Sequence, residues 1–337
     1  MKISGTSDLG RLNAMTKRAI DTRNDLNRAA TEMTTGENSS RYEATAGNTT
    51  RIFAVERALD RNEAFSQTIA LTEVRLDTMQ SGLGLILSPL EDLAIDMSSS
   101  VGLGDVQQSL MHASTARNAF RDTVGVLNSQ AGGLSLFAGT ATDSPALASP
   151  DSMLADLDAL AQGSATASDA IAAINAYFSK TPPGAFYSTG YIGSTQDPSP
   201  VDVGESRRLD YAVRADNDQL VAVLKSQALA AVVAGGAFAS DSNAQMQMLA
   251  AAGQAMVDSK EGLLDLRSAV GVSQYTLENA KAARVAEHDT LDLSRNAIMG
   301  IDSTAVTSRF QALETQLNTI YTLTARLGDL SYVKYMK

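Results

Sequence analysis

The chain has 337 residues, 44% of them hydrophobic and 19% charged, with a formal net charge of −11. That length allows two or three compact units, and the acidic balance argues against a nucleic-acid binder, which needs clustered Lys and Arg to neutralise phosphates. Cysteine and tryptophan are both absent, which excludes disulfide staples, thiolate metal sites and a cysteine nucleophile.

The acidity is unevenly placed. Residues 1–33 carry six basic side chains against four acidic ones, and residues 300–337 carry four against three. No cleavable leader is expected, because charges interrupt any apolar core of the usual ~7–15 residues at the N-terminus. No apolar run approaches the ~20 residues of a spanning helix, so membrane insertion is not expected either.

The first element is a helix whose stripe is Leu12, Met15, Ala19, Thr22, Leu26, Ala29 and Met33, alternating steps of three and four. Six of these seven are apolar, which is the seam of a coiled coil. It ends at Thr34-Thr35-Gly36, with Gly36 suited to a C-cap. Residues 36–49 read as loop or short turns. A second helix is expected over about 50–97, with an apolar frame broken mid-helix by Asn62, Ser66, Glu73 and Gln80. It would be a rod roughly 70 Å long, kinked or interrupted near Pro89. A third helix is expected over about 105–132, where Arg117 is the one polar member of the stripe, followed by the short run Leu136-Phe137-Ala138-Gly139-Thr140.

The middle changes character, holding six of the seven prolines. Leu209, Tyr211 and Val213 alternate with polar or small residues as in a strand, and 185–192 is its expected partner. Residues 217–233 and 242–257 read as helices. Beyond 260 the three-four spacing returns through Leu263, Leu266, Val270, Ser273, Leu277 and Ala280. It closes with Val306, Phe310, Leu313, Leu317, Ile320, Thr324 and Leu327. The fold class expected is therefore mainly α: a long antiparallel helical rod or coiled coil built from both termini, with a small α+β insert domain in the middle. The parts are 1–45 (N-terminal assembly helix), 46–140 (rod helices), 141–245 (mixed insert), 246–300 (return helix) and 301–337 (C-terminal assembly helix).

A lone terminal helix loses more backbone entropy than one apolar stripe returns. Each stripe therefore needs a partner, and ordering of the two ends is expected to accompany assembly. The interface residues expected are Leu12, Met15, Ala19, Leu26, Ala29 and Met33 at one end and Val306, Phe310, Leu313, Leu317, Ile320 and Leu327 at the other.

Chemistry is thinly supplied. His112 and His288 have no second histidine nearby, so neither makes a zinc set. Ser331-Tyr332-Val333-Lys334 fits a Ser-x-x-Lys phrase without companion motifs, and Gly102-Leu103-Gly104 lacks the third glycine and preceding strand of a phosphate loop. Asn38-Ser39-Ser40 and Asn48-Thr49-Thr50 match glycosylation sequons, which short sequences match often by chance. No enzyme, cofactor or metal is expected.

Several phrases together resemble the flagellin superfamily, most closely its hook–filament junction branch. They are the opening Met1-Lys2-Ile3-Ser4, the helix end Glu32-Met33-Thr34-Thr35-Gly36, and Leu136-Phe137-Ala138-Gly139-Thr140, similar to an F-A-G phrase after the third helix. A return helix at 271–286 and the tail 327–337, similar to an L-S-L-x-x-Y ending, complete the set. The likeness covers about 1–140 and 260–337. It departs after Gly36, where Asn38-Ser39-Ser40-Arg41-Tyr42-Glu43-Ala44 replaces the family's N-x-A-x-D-D phrase.

The resemblance implies an extracellular structural subunit, exported through the flagellar type III route without a cleaved leader. Its implied partners are other copies of itself, the hook-side junction protein, flagellin and a cytoplasmic export chaperone docking on the 306–327 stripe. The alternatives are a short filament flagellin and, from another class, a helical signalling or adhesion protein.

Overall fold

The computed structural model describes residues 8–335, with side chains from 10 to 326. The opening phrase Met1-Lys2-Ile3-Ser4 lies outside the described residues. The protein is mainly helical: α1 (Asp8–Thr35), α2 (Arg41–Ala44), α3 (Thr50–Gly102), α4 (Val106–Leu127), α5 (Pro150–Gln162), α6 (Ala167–Tyr177), α7 (Asp218–Ala234), α8 (Ser242–Met299) and α9 (Ser303–Tyr335). Two small antiparallel hairpins accompany them, β1 (Gln130–Ala131) with β2 (Leu134–Ser135) and β3 (Val201–Gly204) with β4 (Arg207–Leu209). The chain divides into two compact units, one of Met1–Glu63 with Val285–Lys337 and one of Ala64–Arg284.

In the first unit α1 packs along α9. α1 stops where expected, because Gly36 takes φ +74 and its amide closes on the carbonyl of Glu32 at 2.8 Å. In α9 the first-turn amides of Thr304 and Ala305 donate to the carboxylate of Asp302 at 2.9 and 3.2 Å, an Asp cap.

The second unit is built around α7, which is buried on almost every side from Leu220 to Val233. A helix apolar all round belongs in an interior. α4 packs along it, with α5 and α6 beside. α3 and α8 run antiparallel within this unit: Lys281 meets Glu73 (2.7 Å), the Gln274 amide donates to Asp77 (2.7 Å) and Lys260 meets Glu91 (2.9 Å). Their inward faces supply Leu76, Leu83, Leu90 and Met97 from one and Met256, Leu263, Val270 and Leu277 from the other. The polar break at Glu73 is thus a cross-helix ion pair. The break at Arg117 is another: its guanidinium grips Asp158 of α5 through two bonds of 2.9 and 2.7 Å and donates to the Ala231 carbonyl of α7 at 3.0 Å.

Several expectations about elements need correction. α3 does not break at Pro89 but runs on to Gly102. Pro89 faces solvent, where its freed carbonyl partner can be hydrated, while Ile86, Leu90 and Leu93 hold the helix on the core. α4 ends earlier, at Leu127, because Asn128 caps it and pins the neighbouring loop, exchanging amide hydrogen bonds with Leu147. The segment expected to pair as a strand, 185–192, instead forms a π-helical turn, Phe186–Gly190. The strand at Leu209 is only three residues long and pairs with β3. Finally, α5 and α6 occupy a stretch where sequence spacing suggests no element. Ser149 caps α5 with Pro150 in its first turn, and Thr166 with Asp169 forms a capping box on α6.

Candidate functional site

The feature of the first unit that best fits a role is the paired surface of α1 and α9. The two stripes meet each other: the Thr324 hydroxyl touches the Met15 sulfur at 4.0 Å, and Glu32 meets Arg309 at 3.0 Å. Extending that register turn by turn sets Met33 level with Val306, Ala29 with Phe310, Leu26 with Leu313, Thr22 with Leu317 and Ala19 with Ile320. Small side chains of α1 thus stand opposite large ones of α9 at several turns, which suits close approach of two helices.

Ala29, Thr22 and Val306 are buried in the seam, and Met15, Ala19, Leu26, Phe310, Leu313, Leu317, Ile320 and Thr324 are half-buried. Leu12 and Met33, at the ends of the α1 stripe, remain exposed at 39% and 44%. The side chain of Leu327 lies outside those described. Around the seam, Ile20, Tyr321 and Leu323 are exposed at 55%, 50% and 45%. Two helices alone cover only one stripe of each other, so these side chains are left open to solvent.

One end of the pair is clasped. The turn after α1 and the link between α8 and α9 form an antiparallel bridge at Glu37 and Gly300. The Asn38 amide donates to the Met299 carbonyl at 2.7 Å, and that of Ile301 donates to the Gly36 carbonyl at 3.2 Å. Arg295 holds Glu37 at 2.8 Å. At the centre is Glu32, only 2% exposed. One carboxylate oxygen accepts from the amide and the hydroxyl of Ser39 (3.2 and 2.7 Å), and the other from Arg309. Burial works against ionisation there, but the Ser39 hydrogen bonds and the guanidinium groups of Arg309 and Arg28 outweigh it. The Glu32 carboxyl is held below its ordinary value. Arg28 in turn pairs with Glu43 at 3.2 Å.

The residues of this clasp are not among those the sequence points to. Glu32 is legible there only as part of a helix-end phrase; its partners, Ser39 beyond the helix end and Arg309 on α9, are brought to it by the fold, which no periodicity encodes.

The second unit carries a polar hollow of about 370 Å³, lined among others by Lys180, Asp197, Arg214, Asp216 and Asp218. Its charges pair with one another: Arg214 is forked onto Asp216 (2.7 and 3.2 Å), and Lys180 meets Asp218 at 3.1 Å. The residues lining it include no nucleophile with an adjacent base. Among the described residues no group of three or more His, Asp or Glu side chains is placed to hold a metal ion. His288 sits half-exposed 3.7 Å from Asp292 one turn along α8, and His112 is half-buried on α4. Among the described residues no helix is long and apolar enough to cross a membrane.

No protein-family model matches this chain, and no curated protein matches it at a significant level.

Proposed function

We propose that this chain is a structural subunit of the bacterial flagellum, of the junction type that joins hook to filament. The observation that carries the reading is the pairing of the first and last helices through two complementary stripes, with Ile20, Tyr321 and Leu323 left exposed around the seam. Apolar side chains exposed beside a helix seam suit packing against further helices. On this reading the long helices α3 and α8 serve as an antiparallel rod, and the unit around α7 is the part that takes no share in the assembly core. The protein is exported unfolded by the type III route and works outside the cell. It packs against its own copies, the hook-side junction protein and flagellin, with a chaperone guarding the α9 stripe before export. It has no catalytic role.

The family phrases in the sequence choose the flagellum over other helical assemblies, and the junction over the filament. Electron microscopy of a strain lacking the gene, with the medium assayed for flagellin, tests it. Bare hooks with flagellin spilling into the medium support the junction role. Loss of flagellin itself makes the chain the filament subunit, and normal filaments overturn the flagellar reading.

A further inference from the structure

We infer that Glu32 is a register key: its buried carboxylate fixes which turn of α9 each turn of α1 meets. The inference rests on the α1–α9 pair and not on what that pair assembles into, so it stands or falls separately from the flagellar reading.

The apolar stripes alone do not choose a register. A slip of one heptad keeps most apolar residues facing apolar residues. Leu26 would meet Ile320 in one direction and Val306 in the other, and Ala29 would meet Leu317 or the start of α9. Size matching of small against large residues blurs rather than breaks under such a slip. Glu32 behaves differently. In the observed register it satisfies both oxygens, through Ser39 and Arg309. Slipped one heptad one way, it stands level with Gln316 and loses Arg309, keeping only the more distant charge of Arg28 on its own helix; slipped the other way, it stands level with Asp302. Asp302 is itself a carboxylate, already accepting from the first amides of α9.

A buried charge without its partner is far more destabilising than an apolar mismatch, which is how a single polar group inside a helix pair specifies alignment. The same carboxylate gathers Ser39 into the turn that bridges to Gly300. Alignment of the helices is thereby coupled to closure of the clasp, where the Asn38–Met299 and Ile301–Gly36 backbone bonds and the Arg295–Glu37 pair act beside Glu32.

The absence of cysteine from the chain allows a direct test with engineered thiols in the full-length protein. The pair Met15→Cys with Thr324→Cys reports the observed register, because those side chains touch. The pairs Thr22→Cys with Thr324→Cys and Thr22→Cys with Phe310→Cys report the two slipped ones. Mild oxidation of the otherwise native protein should cross-link the first pair at least about tenfold more than either other, since thiols a heptad out of register lie too far apart to bridge. With Glu32→Leu added, the first cross-link should fall several-fold and a slipped one rise by a similar amount, while helix content by circular dichroism stays near native. Arg309→Gln, which leaves the Ser39 bonds in place, should produce a smaller shift of the same sign. An undiminished first cross-link in Glu32→Leu overturns the inference. So does a uniform loss of all three cross-links with loss of helix in both variants, which would make Glu32 a stabilising residue without a role in alignment.

Discussion

At the scale of single residues, the informative positions are the buried polar ones. Gln227 on α7 is fully buried, and neither its amide oxygen nor its nitrogen has a protein partner. Leaving such a group unpaired costs about 1–3 kcal/mol. Gln227→Leu should therefore raise stability by about 1 kcal/mol, read as a higher denaturant midpoint with an unchanged slope. Glu32 has the opposite character, because its partners are in place. Its carboxyl titrates below the ordinary value when folded, so the stability it contributes is fully present above the unfolded carboxylate pKa and is lost as pH falls through the folded one. The first unit should lose stability below about pH 4.5, on the acid side of ordinary glutamate titration, and Glu32→Gln should flatten that limb in a thermal unfolding series against pH. A variant whose acid limb matches the wild type would show that other carboxylates govern it. None of this is visible in the sequence, where Glu32 and Gln227 look like any other polar helix residue. Burial of each is decided by segments distant in the chain.

At the scale of elements, the sequence is most legible where spacing is strict. The stripes from Leu12 to Met33 and from Val306 to Thr324 lie on helices that do pack on each other, and Gly36 does end the first of them. The partner that each stripe needs lies within the same chain. Legibility fails in the middle for physical reasons that the residues display. α5 and α6 are rich in alanine and aspartate, so their buried Met153, Leu154, Leu157, Ala170 and Ile174 form a thin stripe. Their start signals, Ser149-Pro150 and Thr166 with Asp169, are overshadowed by the surrounding prolines. The run Leu209, Tyr211, Val213 has a strand's alternation, yet its pairing partner extends only over β3 and the ladder stops at Leu209. The tight seam of the α1–α9 pair makes its own prediction. Ala29 is wholly buried and, in the register set by the Met15–Thr324 contact, falls level with Phe310, so Ala29→Leu should overpack the seam and cost about 1–3 kcal/mol, seen as a lower melting temperature for the first unit. An unchanged or raised melting temperature would mean that the seam is looser than its small-against-large pattern implies.

At the scale of the whole molecule, the chain joins two units of different construction. One, around α7, closes its core on itself, with α4, α5, α6 and the α3–α8 pair supplying the cover. The other holds the α1–α9 pair, with α2 and the adjoining ends of α3 and α8, a clasp at one end of the pair, and Leu12, Ile20, Tyr321 and Leu323 exposed beside the seam. The proposed assembly role rests on the exposed residues beside the α1–α9 seam, and they are where it can be tested. The decisive measurement is a count of filament-bearing hooks by electron microscopy in a strain lacking the gene. The strain is complemented either with the wild-type chain or with the double variant Ile20→Glu, Tyr321→Glu, which charges the exposed residues while sparing the seam. A junction role predicts bare hooks in the deletion strain, filaments restored by the wild type, and bare hooks again with the variant even though it is exported at the wild-type level. Filaments restored equally by the variant would contradict the assembly surface, and filaments present without the gene would contradict the function.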